Sequence, residues 1–318
     1  MMINYISRRL LMLVPVLLGV SLLVFTIMEL TPGDPVTMYL GASYSKEAYE
    51  GISHELGLDQ PFLIRYGKFV QNALKGDFGI SYSTRQPVIN ELAPRLPKTI
   101  QLSFGAMLFA VSIGMPLGII SAVKQNSVFD SAASLIALAG VSVPSFWLGI
   151  MLILVFAANL GWLPSSYINH WKAMILPAVT LSANTLAVVM RMTRSSLLET
   201  IRQDYIRTAR AKGLKESTVI IKHALRNAMI PIITTVGLQF GFSLGGAVLV
   251  ETVFAWPGIG SLLVEAIRVK NTPIVLAIVV ILAALFSVIN LAIDILYAFF
   301  DPRIKAEYKK TRRKAGVR

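Results

Sequence analysis

Residues 271–293 read Asn-Thr-Pro-Ile-Val-Leu-Ala-Ile-Val-Val-Ile-Leu-Ala-Ala-Leu-Phe-Ser-Val-Ile-Asn-Leu-Ala-Ile, a run of 23 positions without a charged side chain. A helix needs roughly 20 apolar residues to cross the hydrocarbon core of a bilayer. Inside that core every backbone N–H and C=O must be paired within the segment, so the run is expected to be a membrane-spanning helix and not an open strand. Five more runs behave the same way: Leu10–Met28, Thr99–Val123, about Ala132–Ala158, Ala173–Met190 and Asn227–Val250. The expected fold is therefore all-α, an integral membrane helical bundle with six transmembrane helices. The whole composition agrees. Of 318 residues, 55% are hydrophobic and 15% charged, whereas soluble domains carry about 25% charged residues. There is no cysteine, which excludes disulfides, thiolate metal sites and cysteine nucleophiles.

The first run follows Arg8 and Arg9, as the apolar core of a signal peptide would. It is longer than such a core, and Thr31-Pro32-Gly33-Asp34 offers no small-residue cleavage site, so a retained helix is expected. The net charge of +13 invites a nucleic-acid reading until the cations are placed. With the N-terminus in the cytoplasm, the inside segments hold 2 + 1 + 9 + 8 = 20 of the 30 Lys and Arg residues. Seven of the remaining ten lie in the long first outside loop, balanced there by seven acidic residues from Asp34 to Glu91. Short inside loops collect Lys and Arg, so both termini are expected to be cytoplasmic. The charge then reports topology, and no nucleic-acid partner is expected. The tail Lys305–Lys314 is expected to touch anionic membrane lipid.

Two segments are too long to be plain connectors. In the extracytoplasmic one, Ser45–Leu56 predicts a helix stopped at Gly57. Pro61–Leu74 predicts another, with Phe62, Tyr66, Phe69 and Leu74 along one face and Gly76 past its end. A folded cap over helix ends and a platform for an outside partner are both compatible with this pattern. The other long segment, Arg191–Arg226, is basic and reads helix, break, helix. Asp204 is expected to cap Tyr205–Lys212, Gly213 to end that helix in a left-handed conformation, and Ser217 to cap a second helix leading to Pro231. A short helix lying across the end of a bundle acts as a lever on the spans beside it. The small residues Thr208, Ala209 and Ala211 before Gly213 are expected to let another protein approach closely.

Arg207-Thr-Ala-Arg-Ala-Lys-Gly213 resembles the cytoplasmic EAA loop of binding-protein-dependent ABC importer permeases, most closely the dipeptide, oligopeptide and nickel branch. The resemblance covers nearly the whole chain. It runs through Thr31-Pro-Gly-Asp-Pro35, Gly76-Asp-Phe-Gly-Ile-Ser81, Arg95-Leu-Pro-Lys-Thr-Ile100 and Pro144-Ser-Phe-Trp-Leu-Gly149. It continues in Arg194-Ser-Ser-Leu-Leu-Glu199, Asp204–Pro231, Glu251-Thr-Val-Phe-Ala-Trp-Pro-Gly-Ile-Gly260 and Asp301-Pro-Arg303. Arg207 stands where the broader superfamily has Glu, Thr208 replaces the first Ala, and Leu225-Arg226 replaces Leu-Pro. These departures resemble the first, B-type permease subunit of the peptide branch, and an acidic contact at 207 is not carried over.

The resemblance implies a pore shared with a homologous second permease in a bacterial or archaeal cell membrane. It also implies two ATP-binding-cassette ATPase subunits that hold ATP and Mg, and an extracytoplasmic binding protein that delivers substrate. This chain would then be no enzyme and hold no cofactor; it has no G-x-x-x-x-G-K-[ST] phosphate loop. Peptides, di- or oligopeptides, are the expected substrate, with nickel or another small solute as the alternative. The expected organisation is 1–94 for the first span and extracytoplasmic region, 95–304 for a five-span permease domain, and 305–318 for a basic tail. The ATPase-facing set is expected to be Asp204, Tyr205, Arg207, Thr208, Ala209, Lys212, Gly213 and Leu214.

Other residues carry lesser expectations. Gly237, Gly241 and Gly245 repeat every four positions and predict a tightly packed stripe. Asp294 interrupts the last span, and a structural contact between helices is favoured over a place in the pore. Glu251 with Trp256-Pro257-Gly258 reads as a re-entrant or scoop-like outer feature and not a binding site. His54, His170 and His223 have no metal-ligand spacing. A secondary transporter or channel would show ionisable residues in mid-membrane and two related halves, and a membrane enzyme would show a clustered nucleophile or carboxylate pair. Neither pattern is present in the sequence.

Overall fold

The computed structural model describes residues 2–41 and 44–300. Among the described residues every regular element is helical; the one bridge pairs Ile80 with Pro87. In chain order the helices are α1 (Met2–Leu30), α2 (Pro35–Leu40), α3 (Lys46–Glu55), α4 (Phe62–Ala73), α5 (Val88–Val123), α6 (Val128–Ser142) and α7 (Ser145–Leu152). There follow α8 (Ile175–Ile201), α9 (Asp204–Ala211), α10 (Glu216–Thr218), α11 (Arg226–Val253), α12 (Ile259–Arg268) and α13 (Thr272–Phe300). Wide π turns over Ile153–Asn159 and Val219–Leu225 continue α7 and join α10 to α11, and a 3₁₀ turn, Trp171–Met174, leads into α8.

Five stretches are long and apolar enough to cross a membrane: 11–30 in α1, 88–123 in α5, 171–201 ending in α8, 216–253 through α11, and 272–293 in α13. The third expected span differs. It is two helices, α6 and α7 with its π extension, bent by 105° at the break. Pro144 explains the break, because its ring excludes the helical region for the residue before it. Val143 is accordingly extended, at φ −82° and ψ 124°. Counting this pair as one span gives six.

The chain forms two interleaved compact units. The boundary expected between residues 94 and 95 lies inside α5. The first unit comprises Met1–Gln101 and Ala247–Ser287. Its core joins Met28, Val88, Leu92, Ile259, Leu262, Ile274 and Ile278. Ser45 caps α3 as expected, accepting from the Ala48 N–H, and Gly57 and Gly76 take positive φ past α3 and α4. The end of α1 is held from far along the chain: Lys270 Nζ donates to the Thr31 and Gly33 carbonyls, both at 2.6 Å. Its neighbour Asn271, fully buried, accepts from the Tyr82 N–H and donates to the hydroxyls of Ser81 and Ser83.

Glu251 belongs to this unit and is fully buried. Thr99 Oγ1 donates to it at 2.6 Å and the Ser261 N–H at 3.0 Å, while the same Thr99 oxygen accepts from the Ile259 N–H. Trp256 Nε1 donates to the Lys98 carbonyl. A side chain at Gly258 would collide with the Glu251 carboxylate, and one at Gly260 would lie 2.6 Å from Val248 Cα. The Trp-Pro-Gly turn is therefore a packed joint between α11, α12 and the start of α5.

The second unit comprises residues 102–246 and the described chain from Val288 on. In it α5, α6 and α8 meet with almost no spacing. A Cβ at Gly114 would come 2.8 Å from the Leu186 carbonyl oxygen, and one at Gly118 would come 2.6 Å from that of Met190. On α6, Gly140 faces the Ala183 carbonyl in the same way, at 3.0 Å. Ala133, Ala137, Ala187 and Met190 fill the seam. Small residues let membrane helices approach backbone to backbone, where dispersion replaces the missing hydrophobic drive.

Candidate coupling site

The candidate site is α9 with the turns on either side, all within the second unit. After Ile201 the chain breaks for two residues and restarts with Gln203 as the cap, extended at φ −74° and ψ 149° and lending no side-chain bond. Asp204 is thus the first helical residue and not the cap, a one-residue correction. In that position its charge still suits the positive end of the helix, its carbonyl accepts from Thr208 Oγ1 at 3.0 Å, and its carboxylate lies 3.5 Å from Arg207 Nη1. At the other end Gly213 has φ +74° and its N–H bonds to the Arg210 carbonyl, the left-handed stop expected of it.

Burial divides α9 into two faces. Ile206 and Ala209 point inward, against Ala122, Leu197, Val219, Ile220 and Ala224. Asp204, Tyr205, Arg207, Thr208 and Lys212 point outward, with Gly213 and Leu214 exposed beyond them. Ala209 therefore departs from its expected role. Its smallness brings α9 close to the chain's own core and does not open the surface to a partner.

Two cross-links fix α9 to the segment that leads into α11. Arg210 forks onto Glu216, Nε to Oε2 at 3.1 Å and Nη2 to Oε1 at 2.6 Å, and this hydrogen-bonded carboxylate raises the Arg210 pKa further. Asn227 Nδ2 donates to Tyr205 Oη and to the His223 carbonyl, each at 3.0 Å. Ser217 does not cap the following helix; Lys215 holds that place without a side-chain bond, and the helix continues through Pro231 into α11. Beside α9 opens a cavity of about 230 Å³ whose lining includes Gln125, Leu198, Arg202, Arg210 and Glu216.

One functional feature has little trace in the sequence. Arg194, eight residues before the α8 break, forms a bidentate pair with Asp130 on α6, Nε–Oδ1 2.7 Å and Nη2–Oδ2 2.8 Å. Ser121 of α5 donates its hydroxyl to the same carboxylate, as does the Asn126 N–H from the turn between α5 and α6 at 2.9 Å. The Asp130 side chain is 6% exposed and that of Arg194 29%. The signal for it is weak: one acid opening an otherwise uncharged run, and one Arg inside the Arg194–Glu199 segment.

The glycine stripe is discontinuous within the chain. Gly237 abuts Ile293 closely enough to exclude any side chain, and Gly241 is buried, but Gly245 faces open space. The Asp294 side chain, Arg303 and the tail 305–318 lie outside the described residues.

Comparison with known proteins decides what this bundle belongs to. The model of the binding-protein-dependent transport system inner membrane component matches residues 114–306, and that of the N-terminal part of such a membrane component matches residues 2–103. The chain belongs to this family. It is a multi-pass membrane permease subunit of an ABC importer. This permease is 45% identical over 304 residues to the glutathione transport system permease protein GsiC of Escherichia coli, covering 96% of its own length and 99% of that protein. It is 43% identical over 332 residues to the dipeptide transport system permease protein DppB of Alkalihalophilus pseudofirmus, covering 96% and 100%. Among solved structures it is similar in fold to the MetNI methionine ABC transporter in inward-facing conformations, at TM-score 0.54 and 21% identity over 66% of this chain and 96% of that one. It is also similar to an amino acid ABC transporter with histidines, at TM-score 0.51 and 18% identity over 67% and 94%.

Proposed function

We propose that this permease forms, with a homologous second permease, the path by which short peptides enter a bacterial cell. The observation that carries the reading is near full-length similarity to two permeases, one named for glutathione and one for dipeptides. Both named substrates are short chains of amide-linked residues. The permease itself contributes passage and force transmission. Separate ATPase subunits bind ATP and Mg and grip the outward face of α9 on the cytoplasmic side, and an extracytoplasmic binding protein supplies the peptide. The split of the Lys and Arg residues supports this sidedness, with both termini inside. The outward face of α9 supports the coupling role: cations at Arg207 and Lys212, an acid at Asp204, and an internal packing that makes the helix move with its own core.

The test is purification in mild detergent, identification of the companions, and reconstitution with the cognate binding protein. ATP-dependent uptake of labelled dialanine or glutathione, lost when either ATPase is omitted, is the expected result. A homo-oligomer that takes up solute on an ion gradient alone overturns the reading.

A further inference from the structure

The sequence places helix α4 in a folded cap over the helix ends, yet it lies well down the side of α1. Phe25 of α1 is at its centre, in edge-to-face contact with Phe62 and Tyr66 at 5.1 and 5.6 Å and beside Phe69 at 6.5 Å. Tyr66 Oη donates to the Leu18 carbonyl at 2.9 Å and meets Ser21 Oγ at 3.0 Å, while Arg65 pairs with Glu29 at 2.8 Å. The apolar stretch of α1 is Leu11–Leu30. Phe25 is five residues from its end, about 7–8 Å down the axis at 1.5 Å per residue. A segment packed there is below the surface of the bilayer.

The circumference of α4 fits that depth. One face, Phe62, Tyr66, Phe69 and Ala73, is turned to the protein and partly buried. Adjacent to it runs Leu63, Gly67, Val70 and Leu74, spaced i, i+4, i+7, i+11 and so on one side of the helix. Leu63 is 74% exposed and Leu74 84%, with no protein over them. The remaining arc carries Lys68, Gln71, Asn72 and Lys75, all exposed, with Ile64 its only apolar member. In the same stretch of α1, Leu18, Leu22, Leu23 and Ile27 are also uncovered, as expected of a lipid-facing surface.

We infer that α4 is an interfacial helix embedded in the outer part of the bilayer at the Leu30 end of α1. Leu63, Val70 and Leu74 rest among acyl chains, and Lys68 and Lys75 reach lipid phosphates. Interfacial amphipathic helices sit about 5–10 Å into the headgroup–acyl boundary, the depth at which Phe25 holds α4. The occupant of the apolar arc is lipid, because that arc continues a surface of α1 that is itself lipid-facing.

Since the chain has no cysteine, single environment-sensitive fluorophores can be attached at Leu63→Cys, Gly67→Cys, Lys68→Cys and Leu74→Cys. The labelled permease, with its co-purifying subunits, is placed in phosphatidylcholine–phosphatidylglycerol vesicles. Quenching by acyl-brominated lipid is compared with quenching by iodide. Labels at 63, 67 and 74 are expected to be quenched about threefold more by brominated lipid than the label at 68, and to be shielded from iodide. Gly67, with open space around it, reports even if a leucine replacement disturbs the helix. Equal access of iodide to all four positions overturns the inference in favour of a water-exposed cap. Shielding of 63, 67 and 74 from both quenchers overturns it in favour of a protein partner.

Discussion

Gly213 and Arg194 show two ways in which a single residue governs this permease. At φ +74° Gly213 occupies a conformation proline cannot adopt, since its ring holds φ near −65°. Gly213→Pro also removes the N–H that bonds the Arg210 carbonyl. The space around Gly213 is open, so the bundle itself is not overpacked by the change. Membrane insertion is expected to be unchanged, while the ratio of substrate transported to ATP hydrolysed falls at least about tenfold, a loss of about 1.4 kcal/mol of coupling. Matched transport and hydrolysis assays on proteoliposomes check this; an unchanged ratio rules out α9 as the coupling element. Arg194→Gln acts on stability instead. It leaves Asp130 charged in a site made for a fork, and breaking buried pairs costs about 3–5 kcal/mol, toward the lower figure here because Arg194 keeps some solvent. A thermal shift of several degrees in the purified permease is expected. Arg194→Lys is expected to recover part of it, since it restores the charge but not the second hydrogen bond.

Among the elements, α9 is legible in the sequence almost in full: Gly213 and the run before it place both ends within one residue. Which face points inward is not legible, because Thr208, Ala209 and Ala211 are equally small and only the packing of Ile206 against Leu197 shows the direction. The α6–α7 break has a local sign in Pro144, but an uncharged run long enough to span hides it. The Asp130–Arg194 pair has none, since its partners are 64 residues apart and no periodicity joins them. The α5–α8 seam offers an element-scale prediction. Gly118→Ala places a methyl 2.6 Å from a backbone oxygen and 2.7 Å from Thr193 Cβ, neither of which can swing aside. Overpacking of this kind costs about 1–3 kcal/mol. Gly245→Ala, with nothing within 4 Å, is expected to leave the isolated permease unaffected. Thermal unfolding of the two variants side by side measures the difference, and equal effects would remove the seam as a close contact.

For the whole molecule, the α6–α7 pair decides topology. If the pair crosses the bilayer the chain has six spans and its termini share a side; if it dips in and returns, five spans put them on opposite sides. The basic residues near both ends, Arg8 and Arg9 and the eight after Asp301, favour the shared cytoplasmic side. Epitopes at residues 1 and 318 are therefore expected to be protected together in right-side-out vesicles and exposed together in inverted ones. Opposite protection would make the α6–α7 pair re-entrant. The number of apolar stretches is readable from the sequence alone; whether a bent one crosses depends on how its halves are packed, which composition does not record.

The bonds from Lys270 to Thr31 and Gly33 have a consequence for biogenesis. The first span can leave the insertion machinery early, but the ammonium that ties down its outer end is encoded 239 residues later. At 5–20 residues per second, synthesis takes roughly 12–48 s to reach it. Throughout that interval the Thr31–Gly33 carbonyls lack their final donor, and the loop after them is free for a chaperone or a membrane protease to seize. Nascent chains stalled before residue 270 should therefore be cleared much faster than chains stalled just after it, and the half-life of such truncations becomes a clock for the moment at which the N-terminal third is sealed.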